Sequence, residues 1–193
     1  GAIGRPGERP VPPLNLIGDY GGGAMYLAVG MLAAILSART TGVGQVVDAA
    51  MVDGAAQLMT IFTALSAAGR WPGERGDNLL DGGAPFYDTY ETQDGRFVAV
   101  GAIEPKFYAQ LIHGLGFDAA DLPAQYDRSQ WPTLRARFAA IFRARTRDAW
   151  TTVFGGTDAC VSPVLDRDEV SSDPHIAARQ TLIEIDGLAQ PAP

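Results

Sequence analysis

The chain has few cysteines, histidines or lysines, and each shortage removes a class of function. Cys160 is the only cysteine in 193 residues, which excludes an internal disulfide and a cysteine zinc cluster. Its apolar neighbours Ala159 and Val161 predict a buried thiol. The 2 histidines, His113 and His175, have no second ligand at metal spacing, so no metal site is expected. Lys106 is the only lysine among 15 cationic residues, against 22 acidic ones. A net charge of −7, with no basic stripe, argues against a nucleic-acid partner. Neither a Gly-Lys-Ser/Thr phosphate loop nor a serine elbow occurs. No secretory signal is visible, and the apolar run from Ala24 to Leu36 is too short to span a bilayer. A cytoplasmic protein without a membrane partner is therefore expected. The loop-like ends, beginning at Gly1 and closing on Gln190-Pro191-Ala192-Pro193, read as cuts through a longer protein.

What the chain does have is glycine in one telling place. Gly18-Asp19-Tyr20-Gly21-Gly22-Gly23 precedes the apolar run that continues to Leu36. Asp19 is a good N-cap residue, which puts the three glycines in the first helical turn. Each glycine costs about 0.8–1 kcal/mol against alanine in a helix interior. That cost makes sense where another group must touch the backbone. The group is either an anion at free N–H donors or a neighbouring element packed tightly against the helix start, and these six residues favour neither.

A helix from about Tyr20 to Ala38, apolar around most of its circumference, is expected to be buried on several sides. Before it, Pro6, Pro10, Pro12 and Pro13 make an extended lead-in. After it, Gly42 and Gly44 end the helix, Gln45–Ala49 reads as a short strand, and a second helix runs from Met51 to Ala67. Residues 70–85 form a long loop in which Leu79 and Leu80 need a partner surface. Phe86–Thr92 and Phe97–Ala102 flank Asp94-Gly95 as a β-hairpin. Pro105 starts a helix to Gly114, and residues 117–132 are loop-rich. Thr133 is expected to cap a helix over Leu134–Ala144, followed by a short one over Arg147–Phe154. Val161–Leu165 and Thr181–Ile185 read as strands, with a short helix near His175 between them. The class is α+β: residues 1–71 are a linker, helices and a strand belonging to a larger body, and residues 72–193 form a small α+β domain.

Glu104 stands at a strand-to-helix corner, pushed out of the helical region by Pro105. It reads as an N-cap glutamate or as a functional side chain. Asp48 and Asp53 flank the turn into the second helix, where a helix-start role is the plainer one. His113 suits a helix C-terminus and His175 a helix start, both structural.

Together, Gly-Asp19-Tyr-Gly-Gly-Gly, Gly42-Val-Gly-Gln-Val-Val-Asp and Gly101-Ala-Ile-Glu104-Pro-Lys-Phe-Tyr resemble the α-methylacyl-CoA racemases. These belong to the family III CoA-transferase (CaiB/BaiF) superfamily, and the resemblance covers essentially the whole chain. It implies the corresponding α+β fold, with the Rossmann-like portion outside this chain. It implies 1,1-proton transfer next to a thioester carbonyl, with CoA as part of the substrate and no separate cofactor. The aspartate matching Asp19 serves one face of the substrate. A histidine, held by the glutamate matching Glu104, serves the other. That histidine lies upstream of Gly1, so neither His113 nor His175 takes its role, and the segment alone is expected to be inactive. By the same resemblance Gly21 and Gly22 approach the thioester, and Leu80, Tyr87 and Ile103 line the acyl or thioester pocket. An interlocked homodimer is implied as well. CoA-transferring members carry the aspartate but typically lack the triple glycine, and have a glycine-rich loop in place of Ile103-Glu104-Pro105. The alternatives are therefore CoA transfer with Asp19 as the acyl-anhydride nucleophile, or a non-catalytic dimerisation module built on the apolar helices.

Overall fold

The computed structural model describes residues 2–192, which divide into two compact units with the boundary between Ala84 and Pro85. The first opens on a proline-rich lead-in that, instead of staying extended as expected, doubles back, with Val11 N donating to Ile3 O at 2.9 Å. A π-helical stretch, Leu16–Ala24, then runs without interruption into α1 (Met25–Thr41). Gly42, at φ +76°, closes α1 in the left-handed conformation that glycine adopts most readily. Next come α2 (Met51–Leu58) and α3 (Thr60–Ala67). The expected single helix is broken at Met59, whose N–H turns back to the carbonyls of Ala56 and Gln57.

Three expectations for this unit are corrected. The helix starts four residues early, at Leu16, and Asn15 rather than Asp19 occupies the cap position. Residues 45–49 form no strand among the described residues, and Val46 is 94% exposed. Finally, α1 buries none of its residues within this chain: Val29, Leu32 and Leu36 all stand open. Because helical structure is continuous from Leu16 to Thr41, its 26 residues are long and apolar enough to cross a membrane by length and composition. The shorter run from Ala24 to Leu36 had excluded this.

The second unit is built on a three-stranded antiparallel sheet of β1 (Tyr87–Glu91), β2 (Phe97–Gly101) and β3 (Val161–Pro163), in that order. Tyr90 pairs with Val98 and Asp88 with Val100 around the Asp94-Gly95 turn. Alternation on β2 sends Val98 and Val100 inward, against α4 (Pro105–Gly114), α5 (Trp131–Phe142) and α6 (Arg147–Phe154). Phe86, Leu111, Leu134, Phe138, Phe142 and Trp150 fill the core. Tyr90 stacks on Phe142 at 5.0 Å, and Trp150 meets the same ring edge-on. A guanidinium ties the far end together. Arg147 is 5% exposed and donates to both Glu169 carboxylate oxygens at 2.6 and 2.7 Å, while Arg96 reaches Glu169 at 2.5 Å. Beyond lie α7 (Pro174–Ala178) and a hairpin of β4 (Leu182–Ile185) with β5 (Leu188–Pro191).

Three details differ from expectation here. α5 begins at Trp131 rather than after Thr133, because Pro132 fits its first turn and the Trp131 indole N–H donates to the Gln125 carbonyl. Gln190 and Pro191, expected in a closing loop, belong to β5, while Pro193 lies outside the described residues: Asp186 (φ +53°) and Gly187 (φ +77°) make the tight turn that returns β5 onto β4. Cys160 is exposed, not buried. It enters β3 with φ +53°, and Ala159 takes the buried place beside it.

Candidate active site

In the first unit the π-helical winding sets the position of Asp19. The Asn15 carbonyl accepts from both Asp19 N (3.2 Å) and Tyr20 N (3.3 Å), and Met25 N reaches back five residues to Tyr20 O. Asp19 thus lies inside the helix rather than capping it. Its side chain is exposed, and among the described residues no hydrogen bond reaches its carboxylate. The glycines after it serve a crossing. A Cβ on Gly22 would lie 2.8 Å from Ala55 N, and one on Gly21 would lie 3.3 Å from a Leu58 methyl. Gly22 and Gly23 are buried where the helix crosses α2. The touching group at Gly22 is a neighbouring helix, the plainer of the two readings of this motif.

Two residues before Asp19, Ile17 lines a cavity of about 500 Å³ with Leu58, Met59, Phe62, Trp71 and Leu80. Phe62 and Trp71 meet edge to face at 5.1 Å in its wall. Arg75 and Asp81 supply its polar lining. Leu80 is carried by a loop that folds around Asn78, which is fully buried. Gly73 N donates to the Asn78 side-chain oxygen (2.9 Å), and the Asn78 amide donates to Glu74 O and Asp81 Oδ2 (2.8 Å each). Gly76 N and Asn78 N both donate to the Asp81 carboxylate. Of the two leucines in this loop, Leu80 faces the apolar cavity, and Leu79 is half-buried.

In the second unit Tyr87, Ile103 and Glu104 come together at one corner. Tyr87 pairs with Gly101 at the end of β2, and the chain then passes through Ala102 and Ile103 into Glu104. Glu104 has extended backbone angles (φ −73°, ψ 142°), and its side chain makes no cap hydrogen bond. It is exposed and available to another group. Its carboxylate acts on the nearby Cys160 thiol, which partial burial, then Glu104, then Asp158 push above its ordinary pKa. Gln125 and Tyr126 grip the corner through the carbonyls of Ala102 and Ile103. They fall in a stretch readable only as loop, with no motif to mark them. His113 is exposed in the last turn of α4, and His175 lies in the first turn of α7. No metal-holding cluster occurs among the described residues.

Over residues 1–193 the chain matches a family model described as CoA-transferase family III. The chain belongs to that family. Among curated relatives of this family III member, the α-methylacyl-CoA racemase of Mus musculus is 46% identical over 191 residues, 99% of this chain and 50% of the relative. The α-methylacyl-CoA racemase of Homo sapiens is 46% identical over 194 residues, 99% of this chain and 51% of the relative. The chain spans about half the length of these relatives. The solved structure of Rv3272 from M. tuberculosis, in its orthorhombic form, superposes with a TM-score of 0.73 at 21% identity. That match covers 99% of this chain and 50% of the other, and it shows the α+β fold of the family.

Proposed function

We propose that the protein is an α-methylacyl-CoA racemase, interconverting 2R and 2S thioesters by 1,1-proton transfer. The observation that carries this reading is 46% identity to two racemases across 99% of the chain, with Asp19 and Glu104 both exposed. Asp19 takes the α-proton as the C–H bond breaks. The electron pair passes to the thioester oxygen, and a proton returns to the opposite face of the enolate. The C–H is a very weak acid, so the enolate oxygen needs hydrogen-bond donors. Free N–H groups of the helix belong to its first turn, around Ile17 and Gly18, and not to Gly21 or Gly22. That turn is where the thioester oxygen finds donors on this chain. Because Asp19 is not a cap, no cap hydrogen bond competes for the lone pairs it uses as a base. The second proton carrier is the histidine that the resemblance implies, oriented by Glu104. CoA is part of the substrate, and no cofactor takes part.

Ile103-Glu104-Pro105 in place of a glycine-rich loop favours this over CoA transfer. The whole protein incubated in D₂O with one epimer of a 2-methylacyl-CoA is expected to deuterate and invert the α-carbon. Asp19→Asn lowers both by about 10²–10⁴-fold. Glu104→Gln costs less, through the histidine it orients, and the 193-residue segment alone turns over nothing. Hydroxylamine-trappable acyl-Asp19 with no α-deuteration would overturn the racemase in favour of the transferase. The apolar face of α1 suits a second copy of the protein in a homodimer. A fully active monomer in sedimentation refutes that arrangement.

A further inference from the structure

We infer that Gln125 and Tyr126 are positioning residues for Glu104, an assignment that rests on the catalytic role proposed for that glutamate. The direction in which a side chain leaves the backbone is set by the peptide planes on either side of it. On the following side, Pro105 confines Glu104 to the extended region. The preceding peptide plane joins the Ile103 carbonyl to the Glu104 nitrogen, and Pro105 has no influence on it.

Two neighbours hold that plane through its oxygen. The Gln125 side-chain amide donates to Ile103 O at 2.7 Å, and the Tyr126 hydroxyl donates to the same oxygen at 2.6 Å. A carbonyl oxygen has two lone pairs, and both are occupied here. The Gln125 amide also reaches Ala102 O at 3.2 Å, so it straddles two successive peptide units. The remaining backbone groups of the corner are tied as well. Ala102 N donates to Phe86 O, Ile103 N to Gly101 O, and Gly101 N to Cys160 O, each between 2.9 and 3.0 Å.

The grip is itself anchored. The Trp131 indole N–H donates to Gln125 O at 2.9 Å, and Trp131 is 5% exposed. The Phe86 ring meets Tyr126 and Trp131 edge-on at 5.6 and 5.8 Å. Loop 122–127 is thereby fastened to the first turn of α5 and to the residue before β1. Glu104, exposed and without a cap bond of its own, takes its aim from this scaffold. A loss of about 1 Å in that aim is enough to slow proton transfer by up to about 10²-fold while leaving thioester binding intact.

The test is a double-mutant cycle in the whole enzyme, read as α-deuteration and inversion of a 2-methylacyl-CoA. Gln125→Leu with Tyr126→Phe is made both in the native background and in Glu104→Gln. In the native background kcat is expected to fall about 10–100-fold, with KM for the thioester nearly unchanged. In the Glu104→Gln background the same pair of changes is expected to cost nothing further, because the group they aim is already disabled. An equal loss in both backgrounds overturns the proposal, since the loop would then act independently of Glu104. So does an unchanged kcat in the native background. Full activity of Glu104→Gln alone removes the role of Glu104 and this assignment with it, and is recognisable because no loop variant is involved. Tyr126→Phe alone removes one hydroxyl from a ring that is 51% exposed, and carries the same cycle if the double variant fails to fold.

Discussion

Gly22 and Gly54 cross with their backbones in contact: a Cβ on Gly54 would stand 1.8 Å from the Gly22 carbonyl oxygen and 2.7 Å from its Cα. The only atoms able to yield at that point are backbone, so the two helices must part. Gly54→Ala is therefore expected to destabilise the protein at the upper end of, or beyond, the ~1–3 kcal/mol usual for overpacking. Gly30→Ala is the control. Its Cβ meets a Val47 methyl at 2.8 Å, on a segment outside any helix or strand, which can shift. Alanine also gains about 0.8–1 kcal/mol over glycine inside a helix. Urea unfolding should show a large drop for the first variant and little change for the second. Equal effects would mean that the crossing is not what fixes these glycines.

Acid should unfasten the second unit through Glu169. Two Arg147 N–H donors, then the Asp166 N–H, hold its carboxyl down at about 2, against an ordinary 4.5. An unfolded chain takes up this proton near 4.5, whereas the folded one does so only near 2. Between those values the unfolded state binds more protons, so falling pH favours it. The stability due to this carboxylate is complete above about pH 4.5 and lost as pH falls through about 2. Glu169→Gln should lower the melting temperature at neutral pH, because buried Arg147 is left with only the longer 3.5 Å ion pair to the exposed Asp148. It should also flatten the pH dependence between 4.5 and 2. Parallel pH curves for the two proteins would show that Glu169 does not carry the transition.

Where local chemistry decides structure, the sequence was readable. Pro105 at the start of α4, Asp94-Gly95 between β1 and β2, and Gly42 after α1 each impose their own geometry. Asp186-Gly187 carries the same hairpin signal, but the residues after it read as loop and β5 was missed. What tertiary structure decides was not readable. Residues 45–49 have strand composition but no strand partner among the described residues. The burial expected of α1 needs a surface that this chain does not supply. Asp19 has the chemistry of a cap, yet the helix begins at Leu16 because the chain there winds with π spacing. Of the candidate site, the two acids came from their motifs. Gln125 and Tyr126 did not, because their importance lies in which carbonyls they reach across the fold.

Cavity shape should set chain-length preference. The space of about 500 Å³ bounded by Ile17, Leu58, Phe62, Trp71 and Leu80 lies beside the helix that carries Asp19, and falls in the usual range for a small-molecule site. If it receives the distal part of the acyl chain, filling it should penalise long substrates and spare short ones. Leu80→Trp narrows it from the loop side, while Phe62→Ala opens it from α3. Each methylene displaced from or admitted to an apolar pocket changes selectivity by about 10-fold or more. For Leu80→Trp, kcat/KM should fall at least that far for a long branched 2-methylacyl-CoA and only slightly for 2-methylbutanoyl-CoA. Phe62→Ala should shift preference towards bulkier chains. Both values are read as exchange of the α-proton in D₂O, which isolates the step proposed for Asp19. Equal losses for short and long substrates would mean that the acyl chain does not enter this cavity, and that Leu80 acts only through the loop it closes.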